Sequence, residues 1–284
     1  MELMILSNPA QVQAQVLAWK RQGLTVGLVP TMGYLHEGHA SLIRRAAAEC
    51  DRVVVSVFVN PTQFGPNEDL ESYPRDLEHD TLLIKECGGN LVFAPQPADM
   101  YGRGTRTWVT VEGLTKELCG RSRPIHFRGV ATVVCKLMNI AQPDRAYFGQ
   151  KDAQQLAVIR QMVSDLNMPV QVVGCPIVRE SDGLAKSSRN TYLNAQERQA
   201  ALVLSRSLAE GRKLLEAGTT DTGRVLARIE EVLKSEPLAR IDYVQAVDAD
   251  TIEPVHKVSG NVLFAIAVYI GKTRLIDNFY WTAE

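Results

Sequence analysis

The chain has 284 residues, 45% apolar and 22% charged, enough for a sizeable core and typical of a soluble globular protein of one or two domains. A formal net charge of −1 offers no global attraction to nucleic acid, and no apolar run of about 18 residues predicts a membrane span. The N-terminal residues lack a basic stretch leading into a long apolar segment, so no signal peptide is expected.

In chain order, residues 11–20 predict a helix and 25–29 a strand. The turn Pro30-Thr31-Met32-Gly33-Tyr34 follows, then His36-Glu37-Gly38-His39 at the head of a helix over 39–49. Strands are expected at 53–59, 90–93, 145–148 and 170–173, and helices at 77–87, 127–141 and 153–167. Apolar strands alternating with helices predict an α/β fold, a Rossmann-like doubly wound parallel sheet, over residues 1–175. The polar stretches after strands fall where such a sheet binds ligands, at the carboxyl ends. Beyond Pro176 the texture changes. Residues 194–216 read as one long helix with a capping box at Asn194 and Glu197, and a second helix reaches Lys234. Short strands are expected at 241–247, 262–268 and 273–277, making 176–284 a smaller α/β domain able to act as a lid.

Five cysteines, Cys50, Cys87, Cys119, Cys135 and Cys175, are widely spaced and odd in number, as expected of reduced thiols in a cytoplasmic protein. Cys50, Cys135 and Cys175 stand among apolar neighbours and are expected to pack in the core.

Two stretches carry chemistry. His36 and His39 are three apart, so they share one helical face at a strand-to-helix handover. A helix N-terminus suits an anion, and two imidazole donors added there make a phosphate cradle. The spacing differs from the His-Glu-x-x-His of zinc proteases, and His79, His126 and His256 are scattered. The second stretch, residues 182–190, is dense in hydroxyls and cations: Lys186-Ser187-Ser188-Arg189. By itself it also reads as a solvated loop. Lys151 stands at a helix start, where a cation is electrostatically unfavourable unless an anion is near.

Together, the two stretches resemble the paired signatures of the HIGH-motif nucleotidyltransferases. Further segments sharpen the match: Phe58 to Phe64, Ser122 to Val130, Phe148 to Leu156 and Arg274 to Asn278. With Leu184 to Asn190, they resemble the pantoate–β-alanine ligase family over the whole chain. That resemblance implies condensation of pantoate with β-alanine through a pantoyl adenylate, with ATP as substrate, Mg2+ required, a homodimer, and no nucleic-acid or membrane partner. It implies catalytic roles for His36, His39, Lys151, Ser187, Ser188 and Arg189. ATP would also meet Met32, Gly33, Gly149, Asp152, Val178 and Lys186. Pantoate would meet Gln63 and Gln155 through its oxygens, and Pro30, Met32, Val133 and Val134 through its methyls. Val133 and Val134 also fit plain core spacing on their helix. Lys186 and Cys119 depart from the family pattern, and no residue is an obvious base for the amine. Two rivals stand beside this reading: an adenylyl transferase acting on a phosphorylated precursor, which needs a cationic pocket, and a non-catalytic nucleotide-binding regulator.

Overall fold

A computed structural model of the chain describes residues 2–66 and 68–283. Its contacts form two units. The first is Met1–Val111, Arg123–Gln150 and Val158–Pro176; the second is Glu112–Ser122, Lys151–Ala157 and Ile177–Glu284. Two short stretches from within residues 1–175 therefore group with the C-terminal residues.

In the first unit the elements are β1 (Met4–Leu6), α1 (Pro9–Arg21), β2 (Val26–Thr31), α2 (Glu37–Glu49), β3 (Arg52–Val57), α3 (Leu77–Glu86), β4 (Leu91–Phe93) and α4 (Pro97–Met100). The helix α5 (Leu118–Ser122) belongs to the second unit; α6 (His126–Ala141), β5 (Arg145–Gly149) and β6 (Gln171–Cys175) return to the first. The helix α7 (Ala153–Asp165) has its first residues in the second unit and the remainder in the first. Strand β1 has no counterpart among the expected strands. It is three residues long at a sheet edge, too short for an alternating pattern to register.

All six strands are parallel, in the order β1-β4-β3-β2-β5-β6. Leu28, Val29, Val54, Val55, Leu91 and Val92 are buried, as continuous apolar strands covered on both faces must be. From β2 the chain runs outward through β3 and β4, then restarts on the other side with β5. The order therefore reverses between β2 and β5. These two strands pair only at Gly27↔Arg145 and Leu28↔Ala146, whereas β2 and β3 pair from Val26 through Thr31. Beyond Leu28 the two central strands no longer pair, and it is at the carboxyl ends of such a switch point that these sheets bind ligands.

The second unit adds α8 (Ala195–Ala200), α9 (Leu202–Glu216), α10 (Thr222–Lys234), β7 (Ala239–Asp248), β8 (Asn261–Ile270) and β9 (Thr273–Thr282). The strands form an antiparallel sheet, β7-β8-β9. They are ten residues each, longer than expected. Along β8, Val262, Phe264, Ile266 and Val268 join a core with Val225, Ile229 and Leu233 of α10 and Leu204 and Leu208 of α9. Leu263 and Ala265 face the other way, into a cluster with Leu118, Ala153, Ala157, Val247 and Ile252. That second face explains why residues 112–122 and 151–157 group here.

The expected single helix over 194–216 is instead two helices meeting at Ala201. Leu204 N donates to Ala201 O at 3.2 Å, a tighter turn that no proline or glycine announces. The capping box at Asn194 and Glu197 forms as expected. Cys175 is buried as expected, with Cys87 and Cys119; Cys50, the C-cap of α2, packs half-buried against the core, and Cys135, midway along α6, is only half-buried, a correction to its expected core role. All five cysteines are free.

Candidate active site

In the first unit the site begins where β2 ends. Thr31 Oγ1 donates to Ser56 O at 2.7 Å and accepts from Gly33 N at 3.2 Å. Gly33 then turns the chain at φ +83°, a conformation glycine adopts without strain. The turn is held from outside by Asp80 of α3, which is fully buried. Its carboxylate accepts from Tyr34 N at 2.8 Å and from Leu35 N at 2.6 Å. Burial lifts this carboxyl above the ordinary aspartate range; the two amide hydrogen bonds and His79 pull it back in part.

That turn delivers His36 as the N-cap of α2 and His39 as its third residue. His36 Nδ1 accepts from Gly38 N at 3.1 Å, and His39 Nδ1 accepts from His36 N at 3.3 Å. The rings lie 4.1 Å apart at 36°. An imidazole nitrogen that accepts carries no proton, so each neutral ring holds its proton on Nε2. The amides of Gly38 and His36 at this helix start are taken up by the two rings. Nε2–H is then the remaining donor of each ring, in a capping box where histidine replaces the usual hydroxyl and carboxylate.

Gln63 is buried at 8% exposure in a short 3₁₀ turn after β3. Asn60, which motif reasoning passed over, organises this turn. Its Oδ1 accepts from Tyr101 Oη at 2.9 Å and from Thr62, and its Nδ2 donates to Gln63 Oε1 at 3.1 Å and to Gly129 O at 3.2 Å. The Gln63 amide is thereby oriented with Nε2 toward Met32 Sδ, 3.1 Å away. The main-chain carbonyl of Gln63 accepts from His126 Nδ1 at 2.9 Å and from Arg123 Nη2 at 3.4 Å. Arg123 is in turn ion-paired with Glu68. The sequence sign of this arrangement was an asparagine before Pro61, which is an N-cap signal. Val133 and Val134 on α6 are 6% and 4% exposed, as core residues are. Pro30 and Met32 are half-buried beside the turn.

In the second unit, Lys151 and Asp152 occupy a 3₁₀ turn ahead of α7; Nζ of Lys151 lies 3.7 Å from Asp152 Oδ2. Gln150 opens that turn, and Gly149 is the last residue of β5. Of the adjacent glutamines, Gln154 is buried and donates to the carbonyls of Leu114 and Glu117, both at 2.8 Å. Gln155 is half-buried.

The polar stretch after β6 is a hairpin. Glu180 N donates to Leu184 O at 2.8 Å, and Lys186 N to Val178 O at 3.0 Å. Gly183 makes the turn at φ +94°. Lys186, left open between ATP and solvent by the sequence, is ion-paired with Glu180 at 3.1 Å. Asp182 at the tip is paired with Arg198 at 2.8 Å, which holds its carboxyl below the ordinary range. Ser187 then caps a 3₁₀ turn, accepting from Arg189 N at 3.3 Å. Lys151, Ser187 and Asn190 line one small cavity of about 10 Å³, room for about one water molecule. Cys119, the other departure, lies 3.4 Å from Tyr243 Oη and 3.5 Å from Arg274 Nη2. It is a packed thiol rather than an acidic contact.

Among the described residues no cluster of three or more His, Cys, Asp or Glu side chains is suited to a metal ion, and no helix is long and apolar enough to cross a membrane. The sequence model for pantoate–β-alanine ligase matches residues 4–280. The chain is 60% identical over 274 residues to a pantothenate synthetase of Clostridium novyi, covering 96% of this chain and 97% of that one. It is 61% identical over 268 residues to one of Heliobacterium modesticaldum, covering 93% and 95%. A crystal structure of pantothenate synthetase from Thermus thermophilus superposes with a TM-score of 0.93 at 48% identity, over 98% of this chain and 99% of that one. One from Francisella tularensis, a pantoate–β-alanine ligase complexed with β-γ ATP and β-alanine, gives 0.80 at 34% identity, over 98% and 97%. By sequence and by fold, the chain belongs to the pantoate–β-alanine ligase family.

Proposed function

We propose that the chain joins pantoate to β-alanine with ATP as the activating substrate, through a pantoyl adenylate. The observation that carries this is the imidazole pair capping α2, which presents two Nε2–H donors at the sheet's switch point. A carboxylate oxygen of pantoate attacks the α-phosphorus of ATP; the bond from that phosphorus to the bridging oxygen breaks, and pyrophosphate leaves. The amine of β-alanine then attacks the acyl carbon, the bond to AMP breaks, and the nitrogen loses a proton.

Charge grows on phosphate oxygens in the first step. Donors already in place there stabilise it without reorganisation, and losing one typically costs about 2.7–4 kcal/mol. His36 and His39 fill that role, Lys151 adds a point charge, and Ser187, Ser188 and Arg189 hold the pyrophosphate end. Met32, Gly33, Gly149, Asp152, Val178 and Lys186 complete the nucleotide contacts. The oriented amide of Gln63, with Gln155, meets the oxygens of pantoate, and Pro30, Met32, Val133 and Val134 its methyls. Two neutral amides suit a small hydroxy acid and leave a phosphorylated substrate without counter-charge. Mg2+, implied by the family, would ride on the ATP phosphates, as this ion does where nucleotides bind. The mixed anhydride needs shelter from water, and the second unit is the proposed lid. A cytoplasmic homodimer, implied by the family, completes the proposal; sedimentation equilibrium tests the dimer.

With ATP, Mg2+ and pantoate but no amine, the protein is expected to release pyrophosphate and retain a bound acyl adenylate. Adding β-alanine to that complex should yield amide and AMP within one turnover by rapid quench. ADP, or an acyl phosphate, overturns the adenylate route.

A further inference from the structure

Strand β9 holds two members of the proposed nucleotide set by their supporting backbone. Asp277 accepts from Arg179 Nη1 at 2.7 Å and Nη2 at 2.9 Å, and the same Nη1 donates to Gly183 O at 3.1 Å. Arg179 is itself bridged to Ala185 across the hairpin. The next residue, Asn278, donates Nδ2–H to Lys151 O at 2.8 Å. Neighbours on a strand point to opposite sides, so one dipeptide reaches both the hairpin and Lys151.

Asp277 is 2% exposed. A carboxylate that deep is costly to desolvate, and well-packed apolar residues stabilise such a position as well or better. A planar guanidinium fork supplies what apolar packing does not: one fixed orientation between strand and hairpin. The shared cavity lined by Lys151, Ser187, Asn190 and Asp277 is the product of that registration. We propose that Asp277 is a positioning residue for adenylation, acting through Arg179 to set the Lys186–Arg189 loop against Lys151. This rests on the reading that the loop and Lys151 meet ATP.

Three variants separate the two layers. Arg189→Ala tests the reading itself: ATP kinetics unchanged from the unsubstituted chain mean that the loop is not on the nucleotide. Arg179→Lys keeps a charge beside Asp277 but has no fork to join strand and hairpin, and Asp277→Asn keeps the size without the charge. For both, kcat/KM for ATP in pantoate-dependent pyrophosphate release is expected to fall about ten- to hundredfold, as for a lost hydrogen bond to a charged group. The KM for pantoate should stay unchanged, and amides of residues 180–186 should exchange hydrogen faster while those of β8 do not. Should Asp277→Asn fail to fold, Arg179→Lys decides alone, since that side chain is 34% exposed. If Arg189→Ala impairs ATP use while Arg179→Lys keeps normal ATP kinetics, or if exchange rises equally in β8, the positioning role is overturned and the reading stands.

Discussion

In the proposed mechanism each histidine of the α2 cap does two jobs through different ring nitrogens, and substitution can separate them. His36→Asn preserves a strong N-cap, and His39→Glu preserves the reach back to the N-cap amide while favouring the helix dipole. Both variants should melt at or above the unsubstituted protein, yet lose about 10²–10³ in adenylation rate, as expected for a missing preorganised donor. Thermal scans with single-turnover pyrophosphate release check this; near-normal adenylation in either variant removes that ring from the phosphate. The pair was legible in sequence because a strand, a turn and a helix start are local patterns. Which nitrogen faces outward was not, since it follows from backbone placement. Asp80 makes a pH prediction. Its folded pKa lies above the ordinary 3.8 because burial outweighs its hydrogen bonds. The folded state therefore binds this proton more tightly than the unfolded chain, so this group's contribution to stability rises as pH falls through the raised value. The melting temperature of the unsubstituted chain minus that of Asp80→Asn should widen from about pH 7 to about pH 4. A gap that narrows on acidification means the two amide hydrogen bonds dominate instead.

The contact of α6 with the Gln63 turn depends on a missing side chain. A Cβ at Gly129 would lie 2.4 Å from Thr62 O and 2.7 Å from Gln63 Cα. Gly129→Ala must push helix and turn apart, at about 1–3 kcal/mol for an overpacked site. The same shift strains the Asn60 bonds to Gln63 and Gly129, so the KM for pantoate should rise more than that for ATP. Equal changes in both constants would show that Gln63 is not the pantoate contact. Periodicity located α6 to within a residue, because an apolar stripe is a local signal. It did not distinguish core valines from ligand-facing ones, because the face a residue covers depends on what packs there. The break at Ala201 was invisible for a related reason: alanine and leucine are good helix formers on either side of it.

The second unit closes its sheet with chain that arrives early. Leu118, Ala153 and Ala157 pack on Leu263 and Ala265, the face of β8 turned away from α9 and α10. A fragment of residues 177–284 lacks them and exposes that face. It should show a weaker, less cooperative melt by circular dichroism than the intact chain's C-terminal amides show by hydrogen exchange. A fragment that melts as sharply and as high would mean that these residues do not contribute to the unit's stability. Local order in the chain was enough to specify the α/β alternation, the parallel sheet, the histidine pair, the hydroxyl-rich stretch and the family, since each is a matter of residues close in sequence or of motifs taken together; that the stretch folds as a hairpin was not. The brace between Arg179 and Asp277 joins residues 98 apart, and the Gln63 carbonyl meets His126 across 63. Such partners are chosen by packing, where burial makes an unmated polar atom costly, and that choice exists only once the chain has folded.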